Sequence, residues 1–291
     1  MKVLIVGGNG FLGREITKRL TADAFEVHVV SRSKKSDFNW QQSFGDLAFP
    51  DSYMPVLLNW RPEVVIQAAW VTEQRIYRTD PKNIEYGIFT TSFAEQCFRQ
   101  GVRHFLAFGS AAEYGEQSNP CHAINSLATP IDLYGKSKLQ TLMSLQKVSR
   151  KDEQKLTWAR VFQAYGHTQD PTRFIPQLAK KLSTGENVRL NNPNLCLDWI
   201  TSRDIARAVS FSLIYDLPEV IDIGTSIGST VWDVYQKIAA LVGREPHLPL
   251  SRINDYQKPS SLIMSPTSPI LSAGWAPRDN LDTGLLWALS L

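Results

Sequence analysis

Unbroken apolar runs alternate with stretches of helical periodicity along the first half of the chain. The runs at 2–6, 26–30, 63–67, 103–108 and 155–162 are rich in aliphatic and β-branched residues and bounded by polar, Gly or Pro positions, which predicts strands buried on both faces. Between them, 11–20, 51–59, 81–100 and 133–149 repeat apolar residues at three- and four-residue spacing, which predicts helices. Strand and helix in alternation imply an α/β fold: a doubly wound parallel sheet with right-handed crossovers and helices on both faces.

After about Tyr165 the texture changes, and prolines from Pro171 to Pro277 punctuate shorter elements. Helices at 174–183, 202–215 and 231–242 and strands at 187–190 and 220–223 fit the pattern there. The expected organisation is a larger domain over 1–165 and a smaller substrate-binding lobe over 166–291, laid across the sheet edge, with segments that can return to the sheet.

Composition narrows the classes. With 43% apolar and 20% charged residues in 291, the chain is globular rather than disordered or fibrous. Its 31 basic and 28 acidic side chains leave a net charge of only +3, interspersed rather than clustered, so nucleic acid is not an expected partner. Cys97, Cys121 and Cys196 lie far apart without a CxxC pair, which implies neither a metal site nor a disulfide framework and suits a reducing, cytoplasmic setting. The first strand begins at once, too short for a secretory signal, and no apolar run approaches the roughly 18 residues of a membrane span.

Gly7-Gly8-Asn9-Gly10-Phe11-Leu12-Gly13 joins the first strand to the first helix. In that context Gly7, Gly10 and Gly13 permit the tight turn, the close approach of backbone to a pyrophosphate and the packing of helix on sheet, while Phe11 and Leu12 open a helix whose free N–H groups face the anion. This predicts a Rossmann-type dinucleotide site. The second strand ends in Ser31-Arg32-Ser33 where a carboxylate would mark a free ribose hydroxyl. A guanidinium can instead pair with a 2′-phosphate, so NADP(H) is favoured over NAD(H), which the glycine turn itself would equally hold. Asp46, followed by Leu47, is placed to accept from the adenine amino group.

Tyr134 and Lys138 stand four residues apart at the start of a predicted helix and share one face. A nearby ammonium favours the phenolate of a Tyr, which makes it a general acid/base. Ser110 ends the run Phe105-Leu106-Ala107-Phe108-Gly109, at the carboxyl end of a strand where open α/β sheets bind ligands, and its hydroxyl can hold a substrate oxygen beside Tyr134. Trp70 and Thr72 follow Ala68-Ala69 at a similar strand end, Trp70 being either loop packing or a platform for a sugar.

Over nearly its whole length the chain resembles the extended short-chain dehydrogenase/reductase family, the group of nucleotide-sugar epimerases, 4,6-dehydratases and 4-ketoreductases. The likeness is carried by the Gly7 to Gly13 turn, Gly45-Asp46-Leu47, Pro62 to Ala69, Gly109-Ser110-Ala111-Ala112-Glu113-Tyr114-Gly115, Tyr134 to Lys138 and Arg160 to Gly166. The resemblance implies that Tyr134 is the acid/base, that Lys138 binds the nicotinamide ribose and tunes Tyr134, and that Ser110 bonds the reacting oxygen. It implies cofactor contacts along Ala68 and Ala69, substrate contacts at Ala111, Gln163 and Arg252, and a homodimer through the helices at 81–100 and 133–149.

Departures from the family pattern shape the expected activity. Ala111-Ala112 stand where dehydratases carry Asp-Glu and where 3,5-epimerase/reductases carry a Cys, so neither chemistry is expected, and Cys97, Cys121 and His122 read as incidental. Leu197 replaces an Arg that grips a sugar nucleotide's pyrophosphate, while Arg252 in Arg252-Ile253-Asn254-Asp255 retains a second. Gln163 stands in place of an Asn and Tyr86 in place of another. The expected function is an NADP(H)-dependent reductase of a keto group on a nucleotide-activated sugar. The alternatives are a 4-epimerase that retains its cofactor and a catalytically silent cofactor-binding regulator.

Overall fold

The computed structural model describes residues 1–32, 40–71, 73, 76–149, 154–245 and 261–290. In chain order its strands are β1 (Lys2–Val6), β2 (Glu26–Ser31), β3 (Gln41–Phe44), β4 (Val64–Gln67), β5 (His104–Ser110), β6 (Lys155–Val161), β7 (Gln163–Tyr165), β8 (Cys196–Thr201), β9 (Val220–Ile223), β10 (Gly228–Thr230) and β11 (Ser261–Leu262). The helices are α1 (Phe11–Ala22), α2 (Met54–Trp60), α3 (Lys82–Arg99), α4 (Leu133–Val148), α5 (Phe174–Ser183), α6 (Ser202–Ile214), α7 (Val231–Leu241), α8 (Pro269–Ser272) and α9 (Leu281–Leu289).

Seven parallel strands form the main sheet in the order β3-β2-β1-β4-β5-β6-β9. The chain winds outward from β1 to β3 and then restarts beside β1 at β4, so the crevice between the carboxyl ends of β1 and β4 is the switch point of a Rossmann-type doubly wound sheet. Period-two alternation sends Val3 and Ile5 of β1 to one core, shared with Ile16 and Leu20 of α1 and Ile205 and Val209 of α6. Leu4 and Val6 point the other way, onto Leu57 of α2, Phe93 and Cys97 of α3 and Leu142 and Leu145 of α4.

The chain beyond 166 serves two layers. β9 completes the main sheet beside β6, and α6 packs on α1. The rest forms a lobe in which β8 pairs with β7, β10 and β11, and Trp199, Tyr165, Ile175, Leu178, Val234 and Leu285 make a third core. Trp199 and Trp275 are buried, and Trp232 packs against the lobe core.

Two local expectations need correction, and one strand was not expected. Residues 187–190 form no strand; Leu190 is instead buried as an irregular segment against the lobe core. The expected helix at 51–59 begins later, at Met54, behind a short 3₁₀ turn at Pro50–Ser52. β8 escaped the pattern because its centre is Asp198, fully buried and accepting N–H groups from Thr225, Ser226 and Met264. That carboxylate supplies bonding that an apolar run would not advertise. Among the described residues no helix is long and apolar enough to cross a membrane.

Candidate active site

A cavity of about 810 Å³ runs from the glycine turn, across the carboxyl ends of β1, β4, β5 and β6, to the lobe. Gly7 has φ +83°, and a Cβ there would lie 2.8 Å from the Ala69 nitrogen. Gly10 caps α1 in extended conformation without a side-chain partner, and the first turn of α1 contains no acidic residue, so the helix presents its amide end to the cavity. Gly7, Gly10, Phe11 and Leu12 line this end. Gly13 does not; a Cβ on it would press into the Gly7 carbonyl oxygen and to 2.7 Å from the Gly8 Cα, so its service is to seat α1 on the sheet. A cradle that any Cβ would fill, facing an uncapped helix N-terminus, fits the pyrophosphate of a dinucleotide.

Ser31 and Arg32 close the cavity at the end of β2, and Asp46 and Leu47 stand beside them after β3. One Asp46 carboxylate oxygen accepts from the Ala48 N–H at 3.0 Å. Ser33, Thr72 and Arg252, each expected to touch a ligand, lie outside the described residues.

The proposed chemistry collects at the middle of the cavity. Asp132 caps α4 by accepting from the Gly135 N–H at 2.7 Å, and the first turn then aims Tyr134 and Lys138 at the carboxyl end of β5. The Tyr134 phenol and the Ser110 hydroxyl line the cavity together; burial pushes the phenol well above its ordinary range, the neighbouring Ser110 hydroxyl opposes this, and Tyr77 and Glu113 push it further up. Lys138, only 3% exposed, donates to the Phe108 carbonyl at 2.7 Å. Burial lowers its pKa strongly, and Glu113 opposes that. The expectation that Lys138 draws Tyr134 toward phenolate is thus offset by burial, which favours the protonated phenol.

Trp70 lines the cavity. Its indole ring lies over the Lys138 ammonium, 3.3 Å from nitrogen to ring centroid, and its N–H donates to Asn83 at 2.8 Å. Tyr86 lies alongside, its ring centroid 6.0 Å from that of Trp70, which accounts for an aromatic residue at that position.

Ala68, Ala69 and Ala111 give the middle of the cavity small walls, and exposed Gln163 at the start of β7 faces it from β6's side. Tyr77 packs edge-on against Tyr134 at 5.2 Å, and the Arg173 guanidinium lies 5.0 Å from the Tyr77 ring. Arg78 pairs with Asp132 and accepts the Tyr134 N–H on its carbonyl. Tyr77, Arg78 and Arg173 were missed because they stand in a turn and before a helix with no motif around them. Asp132 had a readable signal, an Asp three residues before a Gly at a helix start. At the far end Leu195, Leu197 and Leu262 form an apolar wall. Cys97 and Cys121 are buried in cores, and His122 is tied to the Thr267 carbonyl at 3.1 Å, outside the cavity lining.

The comparisons with known proteins agree with this geometry. The model of the NAD dependent epimerase/dehydratase family matches residues 3–224. A GDP-6-deoxy-D-talose 4-dehydrogenase of Aggregatibacter actinomycetemcomitans is 23% identical over 83% of this chain and 80% of its own length. A dTDP-L-rhamnose 4-epimerase of Burkholderia thailandensis is 22% identical over 98% of this chain and 93% of its own. Among solved structures, the UDP-glucose 4-epimerase of Thermus thermophilus in complex with NAD superposes with a TM-score of 0.85 at 23% identity, covering 100% of this chain and 98% of that one.

Proposed function

The chain belongs to the NAD dependent epimerase/dehydratase family, and on that premise we propose that it is an NADP(H)-dependent reductase of a keto group on a nucleotide-activated sugar. The observation that carries the reading is the convergence of Ser110, Tyr134 and Lys138 on one cavity at the carboxyl end of β5, where burial raises the pKa of the phenol. A protonated phenol beside a hydroxyl is a proton donor to a carbonyl oxygen. A bound reduced nicotinamide would supply the hydride to the carbonyl carbon. Ser110 orients the carbonyl oxygen, Tyr134 gives it the phenolic proton, and the resulting phenolate lies on the same helix face as the Lys138 ammonium. Solvent then restores the proton to Tyr134, so that the carbonyl ends as an alcohol with one hydride and one proton added.

Arg32 at the end of β2, lining the cavity, supports the phosphorylated cofactor, because a guanidinium complements a 2′-phosphate. The nucleotide sugar is supported by the relatives, whose names carry GDP-, dTDP- and UDP-sugars. A homodimer through α3 and α4 is supported by Ile84 and Ile88 of α3 and Met143 of α4, all exposed on helices that pack on each other.

A second reading, a 4-epimerase with retained cofactor, is favoured by the epimerases among the relatives. Two measurements separate the readings. Tyr134→Phe is expected to lower NADPH-dependent reduction of a dTDP-4-keto-6-deoxyhexose by about 10³-fold with NADPH still bound; retained turnover would overturn the role of Tyr134. Mass spectrometry of small molecules released on denaturation is expected to find no cofactor or partial NADP⁺. Stoichiometric NAD⁺ would overturn the Arg32 reading and select the epimerase.

A further inference from the structure

Trp70 and Lys138 meet in the middle of the cavity, and the group that fixes their meeting lies outside it. Lys138 is 3% exposed, and an ammonium withdrawn from water needs partners. One N–H goes to the Phe108 carbonyl at 2.7 Å, and the Trp70 indole covers the charge with its ring centroid 3.3 Å from the nitrogen. An ammonium has three N–H groups, so these two contacts leave a donor for the cavity that Lys138 lines. Where that donor points depends on where the indole sits.

The ring is half-buried on an irregular segment between β4 and α3, so no regular backbone holds it in place. Its N–H is taken by Asn83 in the first turn of α3, whose Oδ1 accepts it at 2.8 Å. Asn83 is fully buried and stands behind the cavity lining. Its amide nitrogen faces two groups that can only accept, the Tyr77 carbonyl at 2.6 Å and the Asp80 carbonyl at 2.8 Å. That settles which end of the carboxamide is which, and the oxygen is left aimed at the indole. An aspartate would set oxygen against both carbonyls, and a leucine would give the indole no acceptor. Tyr86, one turn along α3, flanks the ring with its centroid 6.0 Å away and limits sideways movement.

We propose that Asn83 is a positioning residue for the nicotinamide cofactor: by holding the Trp70 N–H it keeps the indole over Lys138 and leaves the rest of that ammonium to the ribose hydroxyls of the cofactor. The inference rests on the reading that Lys138 faces the cofactor. Support of the 77–80 turn uses only the two amide donors of Asn83. The acceptor is the part of the side chain that reaches toward the site, and it meets the one ring that covers Lys138 at 3.3 Å.

The first readout is taken on the cofactor-free protein. In a ¹⁵N-labelled sample the 8 tryptophans give side-chain N–H resonances, and the one missing from Trp70→Phe belongs to Trp70. Asn83→Ala should move that resonance upfield in the proton dimension as its hydrogen bond is lost; an unmoved resonance overturns the inference. The second readout is affinity for NADPH and for NADH, the tighter being used, followed by the emission of the reduced nicotinamide. Asn83→Ala should weaken binding by about fivefold, the effect of one buried hydrogen bond. In a Trp70→Phe background, where the ring has no N–H to give, the same substitution should change affinity by less than about twofold. Equal losses in the two backgrounds would mean that Asn83 only supports the turn, and would overturn the inference.

Should Asn83→Ala fail to fold because the Tyr77 carbonyl loses its donor, Trp70→Phe carries the test by itself. It leaves Asn83 and the turn in place and is expected to weaken cofactor binding by about fivefold; unchanged affinity overturns the inference equally. Lys138→Met tells the role of Asn83 from the reading beneath it. If Lys138→Met leaves cofactor affinity intact, Lys138 does not face the cofactor and that reading falls. If it weakens binding while Asn83→Ala does not, only the role of Asn83 falls.

Discussion

At the floor of the cavity Ser110, Tyr134 and Lys138 stand on the end of β5 and the first turns of α4, each held by partners inside the main domain. At the far wall Leu195, Leu197 and Leu262 come from the lobe, where Leu262 reaches β8 through β11, a pairing that spans more than sixty residues of chain (Leu262 with Leu197). The floor is polar, at least half-buried and drawn from two elements of the main domain. The wall is apolar and assembled by long-range pairing. The contrast teaches where the proposed chemistry and its selectivity would reside: strand ends and helix starts can hold groups to the accuracy a proton transfer needs, while a separately built lobe can change its lining without disturbing them.

Substitutions at the two places should therefore fail differently. The largest effect is expected at Gly13. Gly13→Val would drive a branched side chain into the Gly7 carbonyl and the Gly8 Cα, lifting α1 from the sheet, with a stability loss of about 3 kcal/mol in thermal or denaturant unfolding and no measurable NADP⁺ binding. Trp70→Leu is next. It removes the ring over Lys138, and a desolvated cation–π contact of about 2 kcal/mol corresponds to roughly a thirtyfold loss of kcat, with KM for the sugar nearly unchanged. The smallest is Leu197→Ala at the wall, expected to raise the sugar KM by roughly tenfold through lost apolar contact and to leave kcat within about twofold. Steady-state kinetics on both variants checks the division. A kcat loss at Leu197→Ala equal to that at Trp70→Leu would break the distinction between floor and wall.

The two regions also differ in how much of them could be read beforehand. β1, β2, β4, β5 and β6 were legible because parallel strands buried on both faces read as apolar runs, and the glycine turn because its spacing is dictated by backbone geometry. Ser110, Tyr134 and Lys138 were legible for the same kind of reason, sitting at fixed offsets from elements that local pattern identifies. β3 was not, since Gln41, Gln42 and Ser43 are polar and lie at the sheet edge. Nor was β8, whose stability comes from N–H groups arriving at Asp198 from residues 27, 28 and 66 positions away.

The sequence by itself determined the doubly wound sheet, the cradle for a dinucleotide and the Tyr134–Lys138 helix face, because each follows from periodicity or from backbone limits acting within a few residues. Only the tertiary structure decided that Trp70 covers Lys138, that burial raises the pKa of the Tyr134 phenol and that Glu113 lies beneath Ser110 against Arg160. Those outcomes depend on which side chains meet across 68, 24 and 47 positions of chain and on how much water is excluded where they meet. Desolvation and charge pairing are properties of the assembled interior, and no local pattern carries them.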